Sequence, residues 1–222
     1  MMKADKPLID LHTHSLLSDG CLLPSELVRR YEVAGFNAVA ITDHADSSNI
    51  DFIIESLVRV SKQLNKYWKI KTIPGVELTH IPLQQFLSLT KRARKNGARL
   101  VVAHGESPVE PVIKGTNRAA IKAGVDILAH PGKITKDDVL LAVKKGTCLE
   151  ITTRKGHSKT NAHVASMAKK YSAKITIDSD FHSPDNFPSD TLFRNVARLA
   201  GLSDNDIVQA YKNSEALIRK VY

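Results

Sequence analysis

Ala38-Val39-Ala40-Ile41-Thr42-Asp43-His44 is the stretch that decides the fold. Successive side chains of a strand point to opposite faces, so Ala38, Ala40, Thr42 and His44 share one face while Val39 and Ile41 take the other. The small set fits a crowded barrel interior, the β-branched pair fits packing against surrounding helices, and the histidine falls at the strand's C-terminal end. Six similar apolar runs flank it, at 7–14, 70–79, 99–104, 126–130, 147–153 and 174–182. Between them lie amphipathic stretches with helix signals, at 24–34, 49–66, 82–95, 117–123, 136–144 and 162–171. Two more helices, 189–200 and 204–221, close the chain, the last behind a Ser203 cap. This alternation predicts parallel strand–helix units. Seven units of roughly 30 residues fall one short of the eight in a standard barrel of ~250 residues. The pattern therefore predicts an α/β fold forming one domain over residues 1–222, with a parallel barrel of seven strand–helix units as the first reading. An open doubly wound sheet is the alternative, but neither G-x-G-x-x-G nor G-x-x-x-x-G-K-[ST] occurs.

The 222 residues are 42% hydrophobic and 25% charged, which suffices for one sizeable core. No run approaches the ~18 apolar residues of a membrane span. Lys3, Asp5 and Lys6 stand where a leader peptide needs apolar residues. These features predict a soluble, cytoplasmic protein with no membrane partner. Two cysteines, Cys21 and Cys148, are too few for a disulfide framework or a thiolate zinc site. The net charge of +9 favours anionic partners, either a small phosphorylated molecule or nucleic acid. Runs such as Lys91-Arg92-Ala93-Arg94-Lys95 also sit where cations offset a helix dipole, so charge alone names no partner.

Position singles out most of the nine histidines. His12 and His14 end the first run, His44 the second, His104 the fourth, His130 the fifth and His182 the seventh, with Glu77 near the end of the third and Asp180 two residues before His182. In a parallel barrel all strand C-termini meet on one face, so these side chains converge. The i, i+2 spacing makes His12 with His14, and Asp180 with His182, ready two-ligand pairs. Imidazoles and carboxylates without thiolates suit zinc, manganese or iron. More than four donors imply more than one ion, and Glu77 can bridge because its two oxygens can each reach a different one. A metal-free polar network is the alternative, and burying that many uncompensated groups is expensive. His80 is off the parity of Glu77 and reads as a loop residue, and His163 as a surface residue of a helix. His157, in Arg154-Lys155-Gly156-His157, follows the sixth run on the same face.

Together these segments resemble the polymerase and histidinol phosphatase (PHP) superfamily. The resemblance lies in Asp10-Leu11-His12-Thr13-His14 with Ser18-Asp19-Gly20, Ile41-Thr42-Asp43-His44 and Pro74-Gly75-Val76-Glu77. It continues through Ala103-His104-Gly105-Glu106, Ala129-His130-Pro131-Gly132 and Ser179-Asp180-Phe181-His182-Ser183. It implies a distorted seven-stranded (β/α)7 TIM-like barrel and a trinuclear metal site. One ion would take His12, His14, Glu77 and Asp180, a second Glu77, His104 and His130, and a third Asp19, His44 and His182. Asp19 enters only through the resemblance, because it lies in a loop. Within the superfamily the chain resembles stand-alone members grouped with histidinol-phosphate phosphatases, for its lack of a polymerase domain, and the segment Glu150–His157 followed by Asn161 resembles a subgroup known only by its PHP domain.

The resemblance implies hydrolysis of phosphate monoesters, with His12, His14, Glu77, Asp180 and His182 at the catalytic centre and metal-activated water attacking phosphorus. Lys133, Arg154, Lys155 and His157, in loops leaving the same face, are candidates for binding the substrate's phosphate. The alternatives are a nuclease or nucleotidase acting on phosphodiesters, and an accessory domain that binds metal without catalysis. Aromatic residues are sparse at 5%, which disfavours a groove that stacks bases. An amidohydrolase also opens with His-x-His, but Thr42-Asp43-His44 and Asp180-x-His182 belong to the PHP arrangement. Cys148-x5-Arg154 has cysteine-phosphatase spacing, yet Cys148 opens a predicted strand and the intervening residues lack glycine.

Overall fold

The computed structural model describes residues 7–221. Its strands are β1 (Ile9–Asp10), β2 (Ala38–Ile41), β3 (His44–Ala45), β4 (Lys71–Leu78), β5 (Leu100–His104), β6 (Ile127–Ala129), β7 (Cys148–Thr152) and β8 (Ile175–Asp178). Helices α1 (Pro24–Val33), α2 (Ile50–Tyr67), α3 (Phe86–Lys95), α4 (Thr116–Ala123), α5 (Lys136–Lys145), α6 (Asn161–Tyr171), α7 (Asp190–Leu199) and α8 (Asp204–Val221) alternate with them and complete the chain. Every strand pairing is parallel, in the order β1-β2-β4-β5-β6-β7-β8. The run at 38–44 is broken at Thr42-Asp43, but β3 keeps the register of β2, with Ala38 opposite Lys71 and His44 opposite Glu77. β2 and β3 thus act as one stave, and seven parallel staves form a nearly closed barrel, as the alternating pattern predicts.

The interior is a small apolar cluster of Ile9, Leu11, Ala38, Ala40, Ile73, Leu100, Val102, Ile127, Ala129 and Cys148. Val39 and Ile41 join the larger layer between barrel and helices, which confirms the facing read from parity. Barrel width grows with strand number, so seven staves leave room for alanine where eight would take larger residues. Leu217 of α8 belongs to the inner cluster, and Asn213 Nδ2 donates to the Ile175 carbonyl at 2.9 Å. The last helix therefore closes the barrel beneath the strand N-termini. Its start has the expected cap, with Ser203 N–H donating to Asp206 at 2.9 Å and Asp206 N–H returning to Ser203 Oγ at 3.3 Å.

Carboxylates close the seam between β1 and β8. The only backbone bridge recorded there among the described residues is Thr13 with Phe181, beyond the strand ends. Below it the Leu11 N–H donates to Asp178 Oδ1 at 2.8 Å, while Asp10 Oδ1 accepts from the N–H groups of Ser179 at 3.1 Å and His12 at 3.3 Å. Tyr31 O–H holds the second Asp10 oxygen at 2.8 Å. Side-chain acceptors do there what a ladder does elsewhere, and backbone donors that burial would otherwise leave unpaired are satisfied.

The strands end earlier than predicted. β1 stops at Asp10 and β8 at Asp178, so His12, His14, Asp180 and His182 lie on chain that has left the sheet. Asp180 has φ +53° and His130 φ +27°, a region that costs a residue other than glycine about 1–3 kcal/mol. Among the described residues no helix is long and apolar enough to cross a membrane.

Candidate metal centre

Side chains from six of the seven staves, on the strand ends or the segments that follow them, meet at the C-terminal face of the barrel. Glu77, fully buried at the end of β4, is central: Oε1 lies 3.4 Å from His12 Nε2 and 3.7 Å from His130 Nε2, while Oε2 lies 2.7 Å from His44 Nδ1 and 3.7 Å from His14 Nε2. Its two oxygens thus face different histidines, the geometry a bridging carboxylate needs. Asp180 stands opposite, 3.3 Å from His14 Nε2 and 3.7 Å from both His12 Nε2 and His130 Nε2. Asp19 reaches in from its exposed loop to His182 Nε2 at 3.3 Å and His44 Nε2 at 3.6 Å. The donor atoms of His14, Asp19, His44 and His182 fall within 4.8 Å of one another, as do those of His12, His14 and Asp180, and of His12, Glu77 and His130. Eight of the nine expected ligands therefore sit in three overlapping groups. The ninth, His104, groups with His130 and His157.

The donor set fits metal ions. His12 and His14 bring their Nε2 atoms to 3.1 Å, too close for two N–H groups to face each other. Glu77 Oε1, His14 Nδ1 and His130 Nδ1 are buried with no hydrogen-bond partner, which native interiors rarely tolerate. Several rings are held with Nε2 toward the site by what Nδ1 touches. His104 Nδ1 donates to the Gly105 carbonyl at 3.0 Å, His182 Nδ1 to the Asp180 carbonyl at 2.9 Å, and His12 Nδ1 to Glu150 Oε1 at 2.6 Å. A carbonyl or carboxylate can only accept, so each ring keeps its bare nitrogen for a metal.

Charge in the cluster is self-compensating. Burial pulls the His12 imidazole down, but Glu150, Glu77 and Asp180 outweigh it and hold the group well above the histidine range. Burial likewise opposes Glu77, Asp19 and Asp180 in raising His44 to about 9. His14 goes the other way, to about 3, through burial and its neighbour His44. Burial would raise the Glu77 carboxyl, yet His12 and His44 keep it well below the carboxylate range. Adjacent imidazoles on opposite sides of the usual range are what a cluster does when protons stand in for cations.

Two glycines let the loops come together. A Cβ on Gly132 would sit 1.9 Å from the Glu106 carbonyl oxygen, and its φ of +62° also selects glycine. A Cβ on Gly105 would meet the Ala129 oxygen at 2.3 Å. These contacts interlock the loops that follow His104 and His130.

Three cavities open around the cluster. The smallest, about 50 Å³, is lined by His104, His130, Arg154, His157, Asp180 and His182 among others. On one side it adjoins a cavity of about 540 Å³ that includes Thr153, Arg154, Lys155, Asp185, Phe187 and Leu192. On the other lies one of about 410 Å³ with Asp19, Asp46, Asn49, His80 and Glu110. Arg154 stands at the boundary of the first two, its Nη1 3.5 Å from the Asp180 carbonyl oxygen. Lys155 is exposed on the larger cavity, and Lys133 is exposed but lines none of the three. His157, expected beside the substrate's phosphate, is buried, with Nδ1 2.6 Å from Ser107 Oγ. His80 is exposed, as a loop residue should be, and lies 3.1 Å from Glu110. His163 is half-buried rather than on the surface, with Nε2 2.9 Å from the Ile134 carbonyl oxygen.

Sequence reasoning missed Glu110 and Glu150. Glu150 had a signal, a carboxylate in the middle of an apolar strand, where burial demands partners. Glu110 had none, because it lies on the irregular loop between β5 and α4.

A parallel barrel with imidazoles and carboxylates gathered at its strand C-termini is built to hold metal ions at one end. The chain belongs to the PHP family, whose PHP domain model matches residues 10–179. An uncharacterized protein of Methanocaldococcus jannaschii is 44% identical over 200 residues, covering 89% of this chain and 92% of that protein. The 5'-3' exoribonuclease Rnm of Escherichia coli is 30% identical over 132 residues, which cover 51% of this chain and 43% of that protein. Histidinol phosphate phosphatase from Lactococcus lactis, solved with zinc, L-histidinol and phosphate, has a TM-score of 0.60 at 17% identity, covering 88% of this chain and 94% of that one. That likeness is one of fold.

Proposed function

We propose that this protein hydrolyses phosphate monoesters at a site holding two or three divalent transition-metal ions, zinc, manganese or iron. The observation that carries this reading is the division of Glu77, one oxygen toward His12 and His130 and the other toward His14 and His44. His12, His14, Glu77 and Asp180 would hold one ion, Glu77, His104 and His130 a second, and Asp19, His44 and His182 a third. When bound, such ions supply Lewis acidity toward phosphoryl oxygens and a nucleophilic water at neutral pH. Arg154 grips phosphate oxygens from the wall shared by the small and large cavities, its planar fork suiting two of them. Lys155 adds positive charge to the larger cavity, which takes the leaving group. Lys133 is close enough in sequence to His130 to contribute only if its loop turns inward on binding.

The two flanks differ in a way that favours a terminal phosphate. Arg154 and Lys155 lie on one side, while Asp46 and Glu110 lie on the other. A polymer running through the site would press its next phosphate against those carboxylates. A second reading, release of nucleotides from phosphodiesters, draws support from the similarity to the Escherichia coli exoribonuclease and from the net charge of +9.

The deciding experiment is a panel of phosphomonoesters, including histidinol phosphate and mononucleotides, set against short oligonucleotides, with metal content verified. Release of inorganic phosphate from the monoesters is expected. Release of mononucleotides from oligonucleotides without monoester turnover overturns the ranking in favour of the nuclease. No turnover on any of them with metals present points to an accessory domain.

A further inference from the structure

Resting on the reading that metals occupy this centre, we propose that His157 and Glu110 are additional ligands that complete the metal position built on His104 and His130. The resemblance assigns that position only Glu77, His104 and His130, three donors where a divalent transition metal takes four or more.

His157 has the placement and the orientation of a ligand. It is 7% exposed and stacks on His130, with ring centroids 4.2 Å apart and planes at 26°. Its donor atoms, with those of His104 and His130, fall within a 4.8 Å span. Ser107 Oγ sits 2.6 Å from Nδ1. That contact fixes the ring as a carboxylate or carbonyl does in His12, His104 and His182, with Nε2 turned to the site. A histidine serving only as a surface cation would have neither the burial nor an internal hydroxyl on its far nitrogen.

Glu110 is the counterpart from the open side. Its Oε2 lies 3.0 Å from His104 Nε2 and 3.1 Å from His80 Nε2, and its Oε1 3.3 Å from His157 Nε2. One carboxylate thus faces three imidazoles, two of them at the proposed position. The loop that carries it is anchored at its base, where the Glu106 carboxylate accepts the N–H groups of Gly115 at 2.9 Å and Asn117 at 3.1 Å. Glu110 itself is 36% exposed, so its carboxylate can leave the position without disturbing the core. A fixed third imidazole with an exposed carboxylate makes a position that is coordinated at rest and can admit a phosphoryl oxygen.

The test is metal binding. Wild type, His157→Asn, Glu110→Gln, Ser107→Ala and His12→Ala are stripped, reloaded with Mn²⁺ or Zn²⁺, and measured by elemental analysis and chelator competition. Cobalt(II) absorption supplies a spectroscopic signature of the same position. His157→Asn and Glu110→Gln should each lose about one ion per chain or weaken one site by at least ~10-fold, with a changed cobalt spectrum. Ser107→Ala, which keeps the ligand and removes only its orientation, should weaken the same site less. His12→Ala should lose a different ion. Full metal content, unchanged affinity and an unchanged cobalt spectrum in both His157→Asn and Glu110→Gln overturn the inference while leaving the proposed function standing. Wild type that binds no metal overturns both. Should His157→Asn fail to fold, Glu110→Gln, at a half-buried loop position, and Ser107→Ala, which removes a single buried hydroxyl, still decide.

Discussion

Replacing Glu150 by glutamine tests whether the centre is built from behind. Glu150 is fully buried; its Oε1 accepts from His12 Nδ1 at 2.6 Å and its Oε2 from the His130 backbone N–H at 2.9 Å. Both neighbours require an acceptor, and glutamine has only one oxygen. If that oxygen keeps the His130 N–H, the amide donates to His12 Nδ1 and forces the ring into the tautomer whose Nε2 carries the proton, which cannot ligate. If it turns to His12 instead, two donors face each other at His130, at a cost of about 1–3 kcal/mol for an unsatisfied buried group. Either arrangement should weaken metal affinity by roughly 10–100-fold, the usual consequence of losing such a partner, or about 1.4–2.7 kcal/mol. Chelator competition measures this directly. Thermal unfolding of the metal-free protein is the control. Burial pushes the Glu150 carboxyl up while His12 pulls it back; removing one partner of such a buried pair costs stability, so the metal-free variant should melt lower, and affinities are compared at a temperature where both proteins are folded. Wild-type affinity and turnover in Glu150→Gln would falsify the claim that His12 is held for coordination by this carboxylate.

Arg154→Ala should leave metal content intact while lowering kcat/KM on the best phosphomonoester by about 10–100-fold, roughly 1.4–2.7 kcal/mol; unchanged kinetics remove Arg154 from phosphate binding. Gly132→Ala combines a strained φ, about 1–3 kcal/mol, with overpacking against the Glu106 carbonyl, about 1–3 kcal/mol. Its Tm should therefore fall by at least ~5 °C, and an unaltered melting curve would contradict the interlocked loops. Burial pushes the Cys148 thiol up to about 12, so a thiol reagent at pH 8 should modify exposed Cys21 rapidly and Cys148 only after unfolding. Two equally reactive thiols in the native protein would sink that picture and revive the cysteine–arginine spacing as chemistry.

Parity along a strand made the barrel legible, because it rests on a period of two that holds wherever the sheet continues. Ala38 and Ala40 point inward and Val39 and Ile41 outward, as expected. The same rule reached His12, His14, Asp180 and His182 for a partly different reason. Those residues lie past the last ladder positions, and positive φ at Asp180 turns the chain there. What brings them together is the location common to all strand C-termini, which survives an error of four residues in where β1 and β8 stop. Glu110 and Ser107 depend on loop conformation, which no period encodes, and so they were missed, while His157 was placed on the correct face by its position after a strand.

Buried charge links the closure of the barrel to the centre above it. Asp10 and Asp178 close the seam through backbone N–H groups, and Asp180 and His182 follow Asp178 within four residues. Burial, then Asp10 and Glu150, push the Asp178 carboxyl up to about 8, so the seam does not add two full negative charges beneath a site already holding Glu77, Glu150 and Asp180. An asparagine at position 178 could still accept from the Leu11 N–H through its oxygen while carrying no charge. The fold is therefore not a neutral frame on which ligands happen to stand: the residues that finish the seven-stave barrel are the same segments, offset by two, that finish the metal centre.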